Sequence, residues 1–190
     1  MVEEYMSSVK KQFEYYKLLG DKTFEQLNDK QFNWQYNQES NSITQIVKHL
    51  SGNMLSRWTD FLTTDGEKAF RNRDEEFDET SLSKTEVLTV WNDGWTCLLD
   101  TLATISAGNF STIIYIRNQG HTVIEAINRQ VAHYAYHVGQ IVFIGKMLLN
   151  ENWKTLSIAK GTSQHCNADK FSQPKTRTHF TDEFLQNDKV

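Results

Sequence analysis

Proline is almost missing from this chain of 190 residues, since its one proline, Pro174, lies close to the C-terminus. Proline interrupts a helix because it lacks the backbone N–H group and clashes with the preceding turn. The residues before Pro174 can therefore form long helices without interruption.

Cysteine is also scarce, because Cys97 and Cys166 are the two cysteines of the chain and they form no CxxC pair. Two cysteines at this spacing exclude a cysteine-rich zinc site, and we do not expect a framework of disulfide bonds to stabilise the fold. A metal site in this chain would need histidine and carboxylate ligands.

The chain lacks both a strong charge and a long apolar run. Its formal net charge is −4 and its pI is near 5.9, so no global field attracts nucleic acid or anionic lipid. No stretch approaches the roughly 18 consecutive apolar residues of a membrane-spanning helix, and the N-terminus lacks the apolar run of a signal peptide. We therefore expect a cytoplasmic protein with no nucleic-acid partner and no membrane partner.

Four segments have apolar residues at the spacing of an amphipathic helix. They cover approximately residues 3–27, 43–62, 83–108 and 122–149. Ser42 is a good N-cap candidate for the second segment, and Ser83 with Glu86 has the spacing of a capping box at the third. A hydrophobic fraction of 38% in 190 residues is enough for one domain with a real core.

The connections between these segments differ in character. Residues 111–117 are rich in β-branched side chains and predict a short strand or β-hairpin before the fourth helix. Residues 63–82 are charged and long for a bundle loop, and such loops are functional or mobile. The polar residues 156–190 predict an irregular C-terminal extension that packs on the bundle or frays. The fold prediction is an all-α bundle over residues 1–155.

Two histidines of the fourth helix carry the first chemical signal. His133 and His137 are four residues apart, so both imidazoles project from one face of a helix and can reach one metal ion. The spacing is that of the helical HExxH zinc site, but Tyr134 stands where that motif has its glutamate, which excludes the metalloprotease interpretation. The alternative is a pair of exposed or hydrogen-bonded histidines with no metal.

A third histidine, His49, lies in the middle of the second helix. On a helical wheel it shares one face with Ser42, Asn53, Ser56 and Asp60. This face either points to water or lines a polar channel against the fourth helix. Asp60 lies roughly 16 Å along the axis from His49, so it would be a rim residue and not a ligand of the same ion.

Further polar residues are candidates for binding and catalysis. Arginine pairs with carboxylates through two parallel hydrogen bonds, so a substrate or cofactor could bind to Arg57, Arg71, Arg73 and Arg129. The alternative is surface charge and local ion pairs with Asp60, Asp74 and Glu75. We take Arg57 and Asp60 as candidate catalytic residues. We take Asn53, Arg129 and His121 as candidate cofactor-binding residues, with a capping role as the alternative for His121.

The second-helix stretch from Ile46 to Trp58 and the fourth-helix stretch from His133 to Ile141 resemble the DinB/YfiT-like superfamily of metalloenzymes. The resemblance covers about residues 1–155, and the charged stretch 65–74 resembles an insertion in a branch without assigned function. It implies an up-down-down-up four-helix bundle with a three-histidine metal site made of His49, His133 and His137. Members are similar to transferases and isomerases that use bacillithiol, mycothiol or glutathione, and many pair as dimers.

Three neutral imidazoles would leave a divalent ion with an open position, which is typical of catalytic sites. We expect zinc or nickel, although imidazole also suits other divalent ions. Three functions remain open. The first is a thiol-dependent S-transferase that acts on a small molecule, with a thiol such as bacillithiol. The second is a hydrolase that uses Asp60, Asp74 or Glu75 as acid or base, and the third is a non-enzymatic, metal-stabilised stress-response protein.

Overall fold

The computed structural model of the chain describes residues 1–186, and the chain is mainly helical. The helices and strands, in chain order, are α1 (Val2–Glu25), α2 (Asp29–Phe32), α3 (Ile43–Trp58), α4 (Lys84–Thr104), β1 (Ile113–Ile116), β2 (Gln119–Thr122), α5 (Val123–Leu149), α6 (Ser163–Ser172) and α7 (Asp182–Gln186). Two 3-10 turns, Asp74–Phe77 and Asn150–Asn152, complete the secondary structure. The predicted all-α class with a β-hairpin before the last long helix is confirmed.

The long helices begin where the sequence predicts. Capping boxes open α3, α4 and α5, with the residue pairs Ser42 and Gln45, Ser83 and Glu86, and Thr122 and Glu125. In each box the N-cap side chain and the side chain three residues later satisfy one another's backbone N–H groups. The hairpin strands β1 and β2 pair antiparallel, with Ile113 opposite Thr122.

Contacts along the helices give their directions. Helices α1 and α5 run parallel, because Tyr5 bonds to Asn128 near their starts and Thr23 adjoins Gly145 near their ends. Helices α3 and α4 also run parallel. Near the middle of both, Ser51 adjoins Gly94, and further along both the Trp58 carbonyl accepts a hydrogen bond from Thr101.

The two parallel pairs run in opposite directions. Phe13, early in α1, contacts Trp95, whereas Phe24, near the end of α1, contacts the earlier residue Trp91 of α4. The resulting order of the four long helices is up, down, down and up, as the resemblance implies. The three tryptophans Trp58, Trp91 and Trp95 are buried in the core between these helices, as the sequence predicts.

Helix α3 is the most enclosed of the long helices, because 13 of its 16 residues are buried. Residues 63–82, which we call the 63–82 segment, cover part of this helix. Ser56 of α3 donates to the Gly66 carbonyl at 3.0 Å, and Gln45 donates to the Phe77 carbonyl at 2.6 Å. The polar face of α3 is therefore covered by protein and does not point to water.

The hairpin is attached to the same segment. Asp65 accepts hydrogen bonds from the backbone N–H groups of Arg117 and Asn118, both at 2.8 Å. Arg117 and Asn118 form the turn between β1 and β2 with positive φ angles of 54° and 60°. The Gly66 N–H group donates to the Tyr115 carbonyl at 2.8 Å, so the segment and the hairpin form one layer.

The C-terminal extension contains two short helices where the sequence predicts irregular structure. Helix α7 lies against α1, since Lys11 pairs with Asp182 at 2.6 Å and Tyr15 contacts Phe184. The part of the predicted extension beyond residue 186 lies outside the described residues. Among residues 1–186, no helix combines the length and the apolar character that crossing a membrane requires.

Candidate metal centre

Three histidines meet between α3 and α5. Nε2 of His133 lies 3.3 Å from Nε2 of His49 and 3.1 Å from Nε2 of His137. His49 and His137 are buried, and His133 is half-buried. The antiparallel packing of α3 on α5 thus brings together residues that are 84 positions apart in the chain.

The other nitrogen of each imidazole points away from this meeting point. Nδ1 of His49 lies 2.9 Å from Glu76 Oε2, Nδ1 of His133 lies 3.3 Å from Gln130 Oε1, and Nδ1 of His137 lies 2.8 Å from Gln140 Oε1. Each of these oxygens accepts a hydrogen bond, so each Nδ1 carries the proton. This tautomer leaves an Nε2 lone pair on every ring, directed at its neighbours.

This arrangement fits a divalent cation. Lone pairs that face one another at such short range repel unless a positive charge lies between them. At a metal–nitrogen distance of about 2.0–2.1 Å, neighbouring ligand nitrogens of one ion lie about 2.9–3.4 Å apart. The observed separations of 3.1 and 3.3 Å fall in that range. His49, His133 and His137 could hold one metal ion, with their ligand atoms all within 4.8 Å of one another.

The protonation state of the cluster also suits a metal. Burial, together with the neighbouring imidazoles, lowers the pKa of His133 to about 3. Burial likewise lowers the pKa of His137 to about 4. Both rings are therefore neutral at pH 7, which is the form in which imidazole binds metals.

Glu76 is a residue of this centre that the sequence does not predict. Its carboxylate accepts from His49 and from Arg71, whose Nε lies 2.7 Å from Oε1. Burial alone would raise the pKa of Glu76, but the bonds from His49 and Arg71 prevail and lower it. Glu76 is therefore an ionised carboxylate that orients His49, as carboxylates do behind metal-binding histidines.

One sequence signal for Glu76 existed in helix α3. Gly52 lies inside the helix, and a Cβ atom at this position would collide with the Glu76 carboxylate. An isolated glycine in a helical pattern often marks such a close approach. The signal indicates that something lies against α3 at this turn, but it does not say which residue.

We expect Glu76→Gln to weaken zinc binding by about 10- to 100-fold, because the amide would hold His49 less firmly and remove the nearby negative charge. The measurement is a competition titration of zinc against a chromophoric chelator. Glu75→Gln is the matched control, because Glu75 is exposed and uses its backbone carbonyl to accept from Lys48. Equal losses of affinity in the two variants would contradict the orienting role of Glu76.

The histidines lie in a cavity of about 540 Å³. Its walls come from α3, the 63–82 segment, the hairpin and α5. Five arginines line it, and they are Arg57, Arg71, Arg73, Arg117 and Arg129. The cavity is large enough for a small molecule and gives that molecule a positively charged surface.

The predicted site residues divide into two groups. Asn53, Arg57 and Arg129 line the cavity together with the three histidines. Asp60 does not, because α3 ends at Trp58, two residues before the expected rim, and Asp60 takes a left-handed φ of 47°. Asp60 instead lines a separate depression with Phe61 and is exposed there. The prediction that placed Asp60 on the polar face of the helix was wrong.

His121 also lies away from the cavity lining. It stands on β2 opposite Ile114, and Thr122 rather than His121 caps α5. Its Nε2 atom is buried with no hydrogen-bond partner among the described residues. Neither the pocket role nor the capping role predicted for His121 is supported by this position.

Comparisons with known proteins give a family but no assigned activity. The sequence profile of a family described as proteins of unknown function, DUF1572, matches residues 1–162. No curated protein matches the chain. The match extends over all four long helices, both strands and every residue of the three-histidine cluster. The chain therefore belongs to the DUF1572 family.

Proposed function

We propose that this chain is a metal-dependent enzyme of the DinB/YfiT-like type that transfers a thiol sulfur to a small electrophile. The observation that carries the proposal is the number of ligands at the centre. Among residues 1–186, the cluster that could hold an ion has three members, and it opens into a cavity of about 540 Å³. A structural zinc site normally has four protein ligands, whereas a catalytic site keeps one position open.

The bound ion would supply a positive charge that lowers the pKa of a thiol and favours its thiolate. The residues of the chain contribute in other ways. His49, His133 and His137 remain neutral ligands, Glu76 fixes the ring of His49, and the walls orient the second substrate. In the reaction, the sulfur forms a bond to an electrophilic carbon and the leaving group departs with the bonding electron pair. The thiol proton passes to solvent.

The thiol in this proposal comes from solution. Cys97 is half-buried, contacts Thr59 at 3.7 Å, and burial raises the pKa of its thiol. Cys166 lies in α6, outside the part of the chain that lines the cavity. Neither thiol is placed to serve as the nucleophile, which supports a free thiol such as bacillithiol or glutathione.

A hydrolase is the less favoured alternative, since it needs a general acid or base beside the ion. Asp60 faces a different depression, and Asp74 and Glu75 are exposed outside the cavity lining. Glu67 does line the cavity, but it pairs with Arg117 at 3.1 Å. A purely structural metal is disfavoured by the three-ligand cluster.

The proposal is tested with zinc-loaded and nickel-loaded protein, a thiol and a chromogenic electrophile such as 1-chloro-2,4-dinitrobenzene. We expect metal-dependent formation of the thioether with bacillithiol or glutathione, and none without thiol or after chelation of the metal. The measurement is the absorbance of the product above the uncatalysed rate. Metal-dependent cleavage of a nitrophenyl ester without any thiol would instead establish the hydrolase.

The proposal includes zinc or nickel as the ion and a homodimer as the assembly. It also includes a cytoplasmic location and a boundary between a catalytic bundle, residues 1–155, and an extension, residues 156–190. These parts rest on the sequence patterns and the resemblance. The centre and its cavity lie within the proposed bundle.

A further inference from the structure

Arg57 is a buried cation that forms no ion pair within residues 1–186, although the Glu67 carboxylate lies close enough to stabilise its charge. Its side chain belongs to α3, and the residue is only 4% exposed. The Nε and Nη1 atoms are buried without a hydrogen-bond partner in residues 1–186. The residue nevertheless lines the cavity of the three histidines.

Such burial is costly for a charged group. A guanidinium removed from water loses its hydration, and the loss is recovered only through hydrogen bonds or opposite charge. Burial lowers the pKa of Arg57, and the positive charges of Arg129 and Arg71 act in the same direction. Tyr134 and Glu67 act in the opposite direction but do not outweigh burial. A buried arginine with two unpaired nitrogen atoms in the wall of a cavity suggests that its partner is a ligand of that cavity.

The other arginines of the cavity lining have partners, with one exception. Arg71 pairs with Glu76, Arg117 pairs with Glu67, and Arg73 lies over the ring of Phe77. Arg129 is exposed, and no carboxylate within residues 1–186 pairs with it. Glu67 is the one carboxylate residue among the described residues of the lining, so positive charge exceeds negative charge there.

Asn53 adds a neutral donor to the same wall. Trp58 Nε1 donates to the Tyr134 hydroxyl at 3.0 Å, and that hydroxyl donates to Asn53 Oδ1 at 3.0 Å. This chain of bonds fixes the amide, so that its Nδ2 group remains as a donor on a residue that lines the cavity. His49, Asn53 and Arg57 follow one another at intervals of four residues, on successive turns of one helix face.

We propose that a molecule that enters this cavity, either the electrophile or the thiol, carries an oxyanion group that binds to Arg57. The oxyanion is a carboxylate or a phosphate, and Asn53 and Arg129 provide further donors. Guanidinium groups bind both kinds of anion through charge-assisted hydrogen bonds. The proposal rests on the proposed function for the role of the metal, but binding of the anion to Arg57 does not require the metal.

The test is isothermal titration calorimetry of zinc-loaded protein with succinate, inorganic phosphate and the neutral analogue succinamide. We expect succinate or phosphate to bind and succinamide not to bind, and the stronger of the two anions identifies the natural group. Arg57→Met should weaken anion binding by about 10- to 100-fold, the usual effect of losing charged hydrogen bonds. No anion binding to the parent protein, or equal binding of succinamide, would overturn the proposal.

Arg117→Met is the matched control, because Arg117 lines the same cavity but is paired with Glu67 and has a side chain that is 62% exposed. We expect it to change anion binding by less than about threefold. If Arg117→Met lost as much affinity for the anion as Arg57→Met, the effect would come from the overall positive charge of the cavity. That result would contradict a specific role for Arg57.

Thermal unfolding distinguishes a role of Arg57 in anion binding from a role in the stability of the fold. Removal of an unpaired buried charge should leave the melting temperature of Arg57→Met unchanged or raise it. A large decrease would assign Arg57 a structural role and overturn the proposal. Arg57→Lys keeps the charge but loses the planar guanidinium group with its paired donors. We therefore expect an affinity for the anion between those of the parent protein and Arg57→Met.

Metal-free protein distinguishes this proposal from the proposed function. If Arg57 binds the anion, succinate or phosphate still binds after chelation of the metal, and Arg57→Met still weakens that binding. This result would hold even if no transferase activity were found. If the anion binds only with zinc present and Arg57→Met has no effect, the ion itself is the anion site and the inference about Arg57 is wrong.

Discussion

His133→Ala is expected to lower the metal content of the purified protein from about one equivalent to below about 0.1. His133 is the central ring of the cluster, since its Nε2 lies within 3.3 Å of both other Nε2 atoms. Its removal leaves two imidazoles for the ion. Loss of a residue that only orients a ligand costs about 10- to 100-fold in affinity, and loss of the ligand itself should cost more. Elemental analysis after dialysis measures the effect.

His165→Ala is the control for this variant. His165 lies on α6 with a side chain that is 83% exposed, so it removes one histidine from the chain without touching the centre. We expect its metal content to equal that of the parent. Equal metal content in the parent and in His133→Ala would show that the three histidines do not form the binding site.

Gly94→Val is expected to lower the free energy of unfolding by about 3 kcal/mol, which corresponds to roughly 6–12 °C in melting temperature for a chain of this size. At Gly94 the helices α4 and α3 approach closely. A Cβ atom there would lie 2.9 Å from the Cα atom of Ser51 and 3.1 Å from the sulfur of Met54. Because the backbone of α3 cannot yield locally, the two helices would have to move apart.

The same substitution elsewhere provides the comparison. Gly139 lies on the exposed side of α5, where no atom lies within 4 Å of an added Cβ. Gly139→Val should change the free energy of unfolding by no more than about 0.5 kcal/mol. Urea denaturation followed by circular dichroism measures both variants. Because valine has a higher helix propensity than glycine, helix propensity does not predict a loss at either position. Similar losses in the two variants would contradict the view that the close approach of α3 and α4 causes the effect at Gly94.

The helices were predictable because their signals are local. Apolar spacing and the capping pair of Ser83 and Glu86 depend on residues within a few positions of one another, so the start of α4 follows from the sequence. The ends are harder to predict. Apolar residues such as Phe61 and Leu62 continue the pattern of α3, but the chain leaves the helix after Trp58 and reverses at Asp60.

The histidine cluster was predictable only in part. The i, i+4 spacing of His133 and His137 places both rings on one helix face, but no local rule brings His49 to the same point. That meeting depends on the packing of α3 against α5. The wheel around His49 placed Asn53 and Ser56 on one polar face, but it wrongly added Asp60, which lies beyond the end of α3. The sequence alone could not show that the 63–82 segment covers this face.

Glu76 illustrates the same difficulty at a single residue. Asp74, Glu75 and Glu76 form an acidic run in which each member has the same local chemistry. The 3-10 turn buries Glu76 against His49 and leaves the other two exposed. Which carboxylate of the run faces the helix depends on the path of a long connection, and residue spacing does not determine that path.

The attachment of Glu76 to His49 has a thermodynamic consequence for the connection that carries it. Ion binding at the three rings and docking of the 63–82 segment on α3 share the bond between Glu76 and His49, so the two equilibria are linked. By reciprocity, docking of the segment strengthens ion binding by the same free energy by which the bound ion strengthens docking of the segment. Loss of the ion should therefore weaken the docking of the segment that carries Arg71 and Arg73, two residues of the cavity wall.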